Sequence, residues 1–216
     1  MGPAIRLRSA VALAGRFPVL AGADLTVARG EVALVHGANG AGKTSLLRVC
    51  AGLLPITDGD AEVLGHDLRA DRRAVRRSVA LLGHATFLYE DLTVAEQAAF
   101  AARAFHRPKA AADAALARLG LERRVDVQVA RLSAGQRRRV ALACLVARDA
   151  ELWLLDEPHA GLDAANRDVV DELIRERAAS GGTVVLASHE LDRARAVAGH
   201  SFAIAGGRVQ EDARVA

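Results

Sequence analysis

The chain has 216 residues, a formal net charge of +3, 51% hydrophobic and 25% charged residues. This balance is typical of a globular protein and excludes an intrinsically disordered chain. The net charge is too small to indicate nucleic-acid binding, and no uncharged run approaches the ~18 residues of a membrane span. The length suits one large domain, or one core with an inserted subdomain.

The N-terminal region predicts β-structure. Residues Ile5 to Val27 alternate loosely between apolar and polar types, and Pro18 and Gly22 interrupt them. This pattern is typical of short antiparallel strands, which here lead into an apolar run, Val32–Val35. That run is short and continuous, so it predicts a buried strand of a parallel sheet.

A glycine-rich segment, GANGAGKT at residues 37–44, follows the buried strand and precedes a predicted helix that begins at Ser45. Strand, glycine-rich loop and helix are the context of a phosphate-binding loop. Glycines allow consecutive N–H groups to point at an anion, and the helix N-terminus adds partial positive charge. The segment therefore predicts a nucleoside triphosphate site. Its candidate binding residues are Gly37, Asn39, Gly40, Ala41, Gly42, Lys43, Thr44 and Ser45.

Two side chains of this loop have specific expected roles. Lys43 is expected to reach the β- and γ-phosphates, and the Thr44 hydroxyl to ligate Mg²⁺. Lys43 is one of only two lysines among the 29 basic residues, and a compact point charge is what this position requires. Upstream, Phe17 is a candidate to stack on the nucleobase, and the alternative is an aromatic of the β-core.

Alanine-rich helices occupy the middle of the chain. Two further strands, Asp60–Leu64 and Val79–Leu82, come first, and the second leads to Gly83 and His84. A capping box at Thr93–Glu96 then predicts a helix, and Ala110–Leu119 predicts another. We interpret residues 85–147 as an inserted helical subdomain that separates a core formed by residues 1–84 and 148–216.

The pentapeptide Leu132–Gln136 precedes a helix that carries three consecutive arginines. Ser133 and Gly135 at the start of this helix offer a hydroxyl and free N–H groups to an anion. By itself the pentapeptide is also compatible with an ordinary N-cap.

Two carboxylates follow the apolar strand at Leu152–Leu155. Asp156 is placed to hold Mg²⁺, and Glu157 to orient or deprotonate the attacking water. A turn follows, in which Asp163 is a natural cap for the next helix.

The last predicted elements are a strand and a hairpin. Thr183–Ala187 is β-branched and apolar, and it places His189 at the carboxyl end of a strand, where ligands bind in sheets of this kind. Ser201–Ala205 and Arg208–Glu211 predict a hairpin that turns at Gly206 and Gly207.

In this order the motifs resemble those of the ATP-binding subunits of ABC transporters, over essentially the whole chain. Five matches carry the resemblance: Walker A at residues 37–44, Walker B at 152–157, the family signature at 132–136 with Ala134 where glycine is commonest, the D-loop at 160–163, and the switch histidine at His189.

One position departs from the family. Most members have a glutamine after the strand equivalent to Val79–Leu82, whereas this chain has Leu82-Gly83-His84. This form and the Leu-Ser-Ala-Gly-Gln signature resemble the haem-exporter, or cytochrome c biogenesis, branch. An imidazole is a poor ligand for Mg²⁺, so His84 is expected to act through a bound water or the γ-phosphate. The alternative is that His84 packs at the mouth of the helical insertion.

The resemblance implies an α/β P-loop NTPase fold with a RecA-like core, an antiparallel β subdomain and the inserted helical subdomain. It implies an ATPase that uses ATP and Mg²⁺, with Glu157, His189 and His84 in catalysis. Two such subunits sandwich each ATP, so Ser133, Gly135, Gln136 and Asp163 are expected to contact the nucleotide held by a second, identical subunit.

The resemblance also implies a separate membrane permease and a position on the cytoplasmic face of the cell membrane. Haem export is the expected function, and export of a drug or lipid is the alternative, because the permease decides the cargo. A soluble ATPase that acts on nucleic acid or ribosomes is a less favoured alternative. The chain has neither heptads nor a second phosphate loop, so no nucleic-acid partner is expected.

Overall fold

The computed structural model describes residues 2–212, and the strands of these residues form two sheets. The strands are β1 (Ile5–Ala14), β2 (Phe17–Val27), β3 (Val32–His36), β4 (Ile56–Val63), β5 (His66–Asp67), β6 (Val79–Leu82), β7 (Leu152–Asp156), β8 (Thr183–Ala187), β9 (His200–Ala205) and β10 (Arg208–Glu211).

The helices are α1 (Lys43–Cys50), α2 (Leu68–Asp71), α3 (Val94–Ala104), α4 (Lys109–Arg118), α5 (Ala134–Arg148), α6 (Ala164–Ala179) and α7 (Leu191–Arg195). Helices α3, α4 and α5 pack against one another. In residues 2–212, no helix has the length and apolar character required to cross a membrane.

The first sheet is antiparallel, in the order β2-β1-β4-β5. The prediction of antiparallel strands is confirmed, but the predicted breaks at Pro18 and Gly22 are wrong. Both residues lie inside β2, and the turn falls at Gly15 and Arg16. β2 is an edge strand of this sheet, where a proline is tolerated. Gly22, at φ 84°, occupies a bulge opposite Ala10 and Val11.

The second sheet has the order β10-β9-β3-β8-β7-β6 and is parallel except for β10, which is antiparallel to β9. Both of its faces are covered, as parallel sheets require. In β3, Val32 and Leu34 belong to one hydrophobic core, which includes the packed helices. Ala33 and Val35 belong to the other core, which includes α1 and the antiparallel sheet.

The closing hairpin and the predicted bounds of β6 and β8 are confirmed. However, β9 begins at His200 rather than at Ser201, and β4 spans Ile56–Val63 rather than Asp60–Leu64. The added residues of β4 pair with β1, a contact between distant segments. The caps predicted at Thr93 and Asp163 are confirmed, since α3 and α6 begin after these residues. Ser133, for which a cap was the alternative, is the N-cap of α5. Each of the three side chains accepts a backbone hydrogen bond.

The parallel sheet places four loops together. β3, β6, β7 and β8 run in the same direction, so their carboxyl ends lie at one edge of the sheet. The segments that follow these ends are the glycine-rich loop, Gly83-His84, Glu157 and Ser188-His189.

Candidate nucleotide-binding and hydrolysis site

A cavity of about 700 Å³ lies at this edge of the parallel sheet. It is lined by Val19, Asn39, Gly40, Gly42, Lys43, Thr44, Ser45, His84, Asp156, Glu157 and His189. All of these except Val19 are residues that the sequence predicts for the site. The structure therefore brings most of the loop, both carboxylates and both predicted catalytic histidines around one space.

The path of the loop depends on two of its glycines. A Cβ at Gly37 would lie 2.2 Å from the carbonyl oxygen of Ile204, and one at Gly42 would lie 2.7 Å from that of Val19. Both also have positive φ angles, 153° and 116°, which favour glycine. These positions therefore admit no side chain, because the loop passes directly against β2 and β9.

Lys43 lies across this loop. Its Nζ donates to the carbonyl oxygens of Gly37, at 2.7 Å, and Ala38, at 3.2 Å, and the residue is only 8% exposed. An ammonium group has three donors, so two are used by the loop itself. The charge is fixed at the phosphate end of the cavity by the loop that would hold the phosphates.

Thr44 and Asp156 meet across the cavity, where the Thr44 hydroxyl donates to Oδ2 of Asp156 at 2.7 Å. These are hard oxygen ligands, which Mg²⁺ prefers. In residues 2–212 no group of three or more His, Cys, Asp or Glu side chains can hold a metal. Mg²⁺ in nucleotide sites takes only one or two protein oxygens and completes its shell with water and phosphate. The residues present fit that pattern.

Glu157 and His189 form a pair. Oε2 of Glu157 lies 2.8 Å from Nδ1 of His189 and accepts a 3.3 Å hydrogen bond from the His189 backbone N–H. The backbone of Glu157 is left-handed, at φ 50°, a conformation that costs a non-glycine residue about 1–3 kcal/mol and clusters at functional sites. Its N–H donates to Ala187 at the end of β8, at 2.8 Å, which holds the strained turn in place.

His84 and Phe17 have different positions relative to the cavity. The His84 side chain is exposed and lines the cavity, so it is not packed in the interior. Phe17 is 76% exposed, and the alternative that it belongs to the β-core is wrong, because it is the first residue of an edge strand. Phe17 does not line the cavity, whereas Val19, two residues further along β2, does. Stacking of Phe17 on the nucleobase stays a prediction.

The residues of the predicted signature do not line the cavity. Ser133 and Gln136 form a capping box, in which Ser133 Oγ accepts from the Gln136 N–H at 3.3 Å and Gln136 Oε1 accepts from the Ser133 N–H at 2.9 Å. Gly135 packs beside Gly161, since a Cβ there would lie 3.0 Å from the Gly161 carbonyl oxygen. Signature and predicted D-loop therefore share one surface.

Asp163 belongs to the same region and caps α6. Its Oδ1 accepts from the backbone N–H of Asn166 at 2.9 Å and from the Asn166 amide at 2.7 Å. The backbone hydrogen bond from Asn166, followed by that from its side chain, lowers the pKa of the Asp163 carboxyl. Asp163 is exposed and ionised, and its side chain does not line the cavity of its own chain.

Sequence reasoning missed Arg138. This side chain is buried and donates to the backbone carbonyl oxygens of Gly83, Asp156 and Glu157 at 2.6–2.8 Å. A signal was present in the helix periodicity, because Arg138 stands three, four and seven positions before Ala141, Leu142 and Leu145, which are buried. An arginine on the apolar face of a helix indicates an internal partner.

A family model described as ABC transporter matches residues 20–160 of the chain. This chain belongs to the ABC transporter family. The glycine-rich loop, the Asp156-Glu157 pair and His189 accordingly lie in an ABC ATPase, a protein that binds and hydrolyses ATP, and the predicted P-loop fold is confirmed.

Several known proteins are similar to this chain over most of their length. The chain is 42% identical over 193 residues to "Cytochrome c biogenesis ATP-binding export protein CcmA" of Cupriavidus pinatubonensis. The match covers 88% of this chain and 85% of that protein. It is 44% identical to CcmA 2 of Cupriavidus metallidurans, over 82% of this chain and 84% of the relative. A solved ATP-binding subunit of an ABC transporter, 27% identical, superposes with a TM-score of 0.89 over 96% of this chain and 89% of that one.

Proposed function

We propose that this chain is the ATP-hydrolysing subunit of an exporter of cytochrome c biogenesis and that its cargo is haem. The hydrolytic part is supported by one cavity that contains Lys43, the Thr44–Asp156 contact and the Glu157–His189 pair. The export part is supported by relatives at 42% and 44% identity that are named for cytochrome c biogenesis export. The Leu82-Gly83-His84 segment agrees with that branch.

In the proposed mechanism, the loop N–H groups and Lys43 bind the β- and γ-phosphates. Thr44 and Asp156 would hold Mg²⁺, which neutralises negative charge on the phosphates when bound. Glu157 orients the attacking water and takes its proton. Both contacts with His189 engage Oε2, which leaves Oε1 for that water.

His189 and His84 complete the proposed site. Paired with Glu157, His189 keeps the carboxylate directed into the cavity, and its largely exposed ring remains close to the place of the γ-phosphate. His84 enters the cavity from β6 and is proposed to contact the γ-phosphate or a bound water. Its position beside the packed helices makes the helical segment sensitive to the nucleotide.

We infer that two copies of the chain assemble around ATP. Ser133, Gly135, Gln136 and Asp163 form a surface outside the cavity of their own chain. The Ser133 hydroxyl, the Gly135 N–H and the Gln136 amide can donate hydrogen bonds to a γ-phosphate or a nucleoside. A partner subunit has to hold the nucleotide that they contact. A head-to-tail dimer supplies it, and ATP then stabilises the closed state.

We propose that a membrane permease docks on the groove beside the helices, at the cytoplasmic face of the cell membrane. The groove has a volume of about 710 Å³, and His84 and Phe87 are among the residues that line it. Phe87 is exposed, and so are Tyr89 and Phe100, whose rings pack edge to face. Exposed aromatic residues are enriched at protein interfaces. The division into a core and an inserted subdomain at 85–147 is part of this proposal.

Deletion of the gene for this chain tests the export function. We expect the cell to lose covalently haem-bound cytochrome c, which is measured by haem staining of denatured proteins, while cytochromes that hold haem non-covalently remain. The wild-type gene restores the stain and a Glu157→Gln allele does not, since the carboxylate acts on water. Normal amounts of haem-bound cytochrome c in the deletion strain would reject the proposal.

A further inference from the structure

Arg138 is a buried cation whose hydrogen bonds all go to backbone carbonyl groups. Its Nη1 donates to Gly83 at 2.7 Å, and its Nη2 donates to Asp156 at 2.8 Å and to Glu157 at 2.6 Å. The residue is 5% exposed, and no carboxylate in residues 2–212 lies within ion-pair distance of it. The planar guanidinium therefore joins two separate turns through three main-chain oxygens.

The positive charge of Arg138 is affected by its burial and by two nearby carboxylates. Burial lowers the pKa of the Arg138 guanidinium, and the nearby carboxylates of Asp156 and Glu157 oppose that effect. An arginine stays protonated even so. Because the cation cannot leave for water without breaking three hydrogen bonds, it fixes the two turns relative to each other more strongly than neutral donors do.

Both turns carry residues of the proposed site. Gly83 precedes His84, and Asp156 and Glu157 supply the proposed metal ligand and base. Arg138 belongs to α5, whose N-cap is Ser133 of the signature. One side chain thus connects the helix that begins with the signature to the two turns that present His84 and Glu157.

We propose that Arg138 is a positioning residue of ATP hydrolysis. It holds the turns that contain Glu157 and His84 in a fixed position relative to α5, the helix that begins at the signature. This inference rests on the proposed role of Glu157. The left-handed backbone of Glu157 needs external support, and the bonds from Arg138 to the carbonyls of Asp156 and Glu157 supply it on both sides of that residue's φ angle. Rate depends steeply on such geometry, because a shift of 1 Å in a reacting group costs about 100-fold.

The test is steady-state ATPase kinetics of the full chain, with bound nucleotide per chain measured in parallel. Arg138→Gln should lower kcat by roughly 10- to 100-fold and leave KM within about threefold, because the residue does not contact the nucleotide. Arg138→Lys keeps the charge but lacks the planar fork. It should lower kcat by about tenfold at unchanged KM, and it keeps the test valid if the glutamine variant folds poorly.

Arg137→Gln is the matched control. Arg137 is the neighbouring arginine on the same helix, and its Nε donates to the Leu132 carbonyl at 3.0 Å, within its own segment. This variant should retain kcat within about twofold. Wild-type kcat in Arg138→Lys, or an equal loss in Arg137→Gln, would overturn the inference.

Glu157→Gln distinguishes a failure of the role proposed for Arg138 from a failure of the role proposed for Glu157. In that background Arg138→Gln should still bind ATP with wild-type stoichiometry, since a positioning residue acts on hydrolysis and not on binding. Loss of nucleotide binding in the double variant would show a purely structural role and reject positioning. If Glu157→Gln alone kept normal turnover, the proposed role of Glu157 would fail, whatever Arg138 does; if it is inactive and the Arg138 variants are normal, only the inference fails.

Discussion

At the scale of single residues, the chemistry of the phosphate loop explains why position 43 is a lysine in a chain whose other basic residues are almost all arginines. The chain uses arginine for all but two of its basic residues. Lys43 occupies a place where Nζ reaches the carbonyl oxygens of Gly37 and Ala38 within a loop that is closed by β2 and β9. A planar guanidinium needs more width than a compact ammonium, and its donors are held in a rigid fork. The exception therefore has a steric reason.

Lys43→Arg should lose nucleotide affinity and ATPase activity, by at least about tenfold each, because the larger head group displaces the loop. Binding of a fluorescent ATP analogue and phosphate release measure the two effects. Lys109→Arg is the matched control, since Lys109 is exposed and pairs with Asp113 at 2.6 Å on the helix surface. Normal ATPase activity of Lys43→Arg would show that the loop assignment is wrong.

At the scale of elements, the helices begin where local hydrogen bonding dictates. In α3, the Thr93 hydroxyl accepts from the Glu96 N–H at 3.2 Å, and the Glu96 carboxylate accepts from the Thr93 N–H at 2.8 Å. The Thr93 backbone hydrogen bond, followed by that from its hydroxyl, lowers the pKa of Glu96. A lowered pKa in the folded state adds stability at neutral pH, which is lost as the pH falls through that pKa.

Thr93→Ala should lower Tm by about 2–4 °C at pH 7, which corresponds to the usual effect of a lost N-cap in a chain of this size. Differential scanning calorimetry measures the shift. The difference between wild type and Thr93→Ala should shrink only in part at acidic pH, because the backbone N–H of residue 93, which lowers the pKa of Glu96 most, is kept in the variant. Glu96→Gln keeps the capping box and removes the titrating group, so its Tm should fall less than that of wild type as the pH becomes acidic. The same pH dependence in Glu96→Gln and wild type would contradict the role of the charged cap.

At the scale of the whole molecule, the cavity and the signature surface are separate. The cavity contains the loop, the carboxylates and the histidines, whereas Ser133 and Gly135 lie on the surface formed with Gly161. In the proposed two-subunit sandwich, each of these surfaces would supply part of one nucleotide site. ATP would then be a ligand of both partners.

Glu157→Gln should bind ATP without hydrolysing it and therefore accumulate as a dimer with Mg-ATP. Ser133→Arg in that background should still bind ATP but stay monomeric, because the larger cation intrudes on the partner's phosphate site. Size-exclusion chromatography with and without Mg-ATP distinguishes the two, and omission of nucleotide is the control. A monomeric peak of Glu157→Gln at high protein and ATP concentration, or a dimer of the double variant, would contradict the proposed sandwich.

The sequence by itself determined the features that depend on neighbours along the chain. A glycine-rich loop needs only its own residues and the helix after it, so residues 37–44 were recognisable. The side chains of Thr93, Ser133 and Asp163 each accept from the N–H group three positions further along the chain. Apolar runs such as Thr183–Ala187 identified the parallel strands, because a run of this kind also depends only on residues that are neighbours along the chain.

Only the tertiary structure decided which distant groups meet. The edge position of β2 lets it contain Pro18, and the pairing with β1 extends β4 to Ile56; neither is encoded locally. Likewise, Arg138 reaches carbonyl groups 55, 18 and 19 residues away, and its charge alone does not name them. A backbone carbonyl looks the same at every residue, so its selection depends on how three elements pack together.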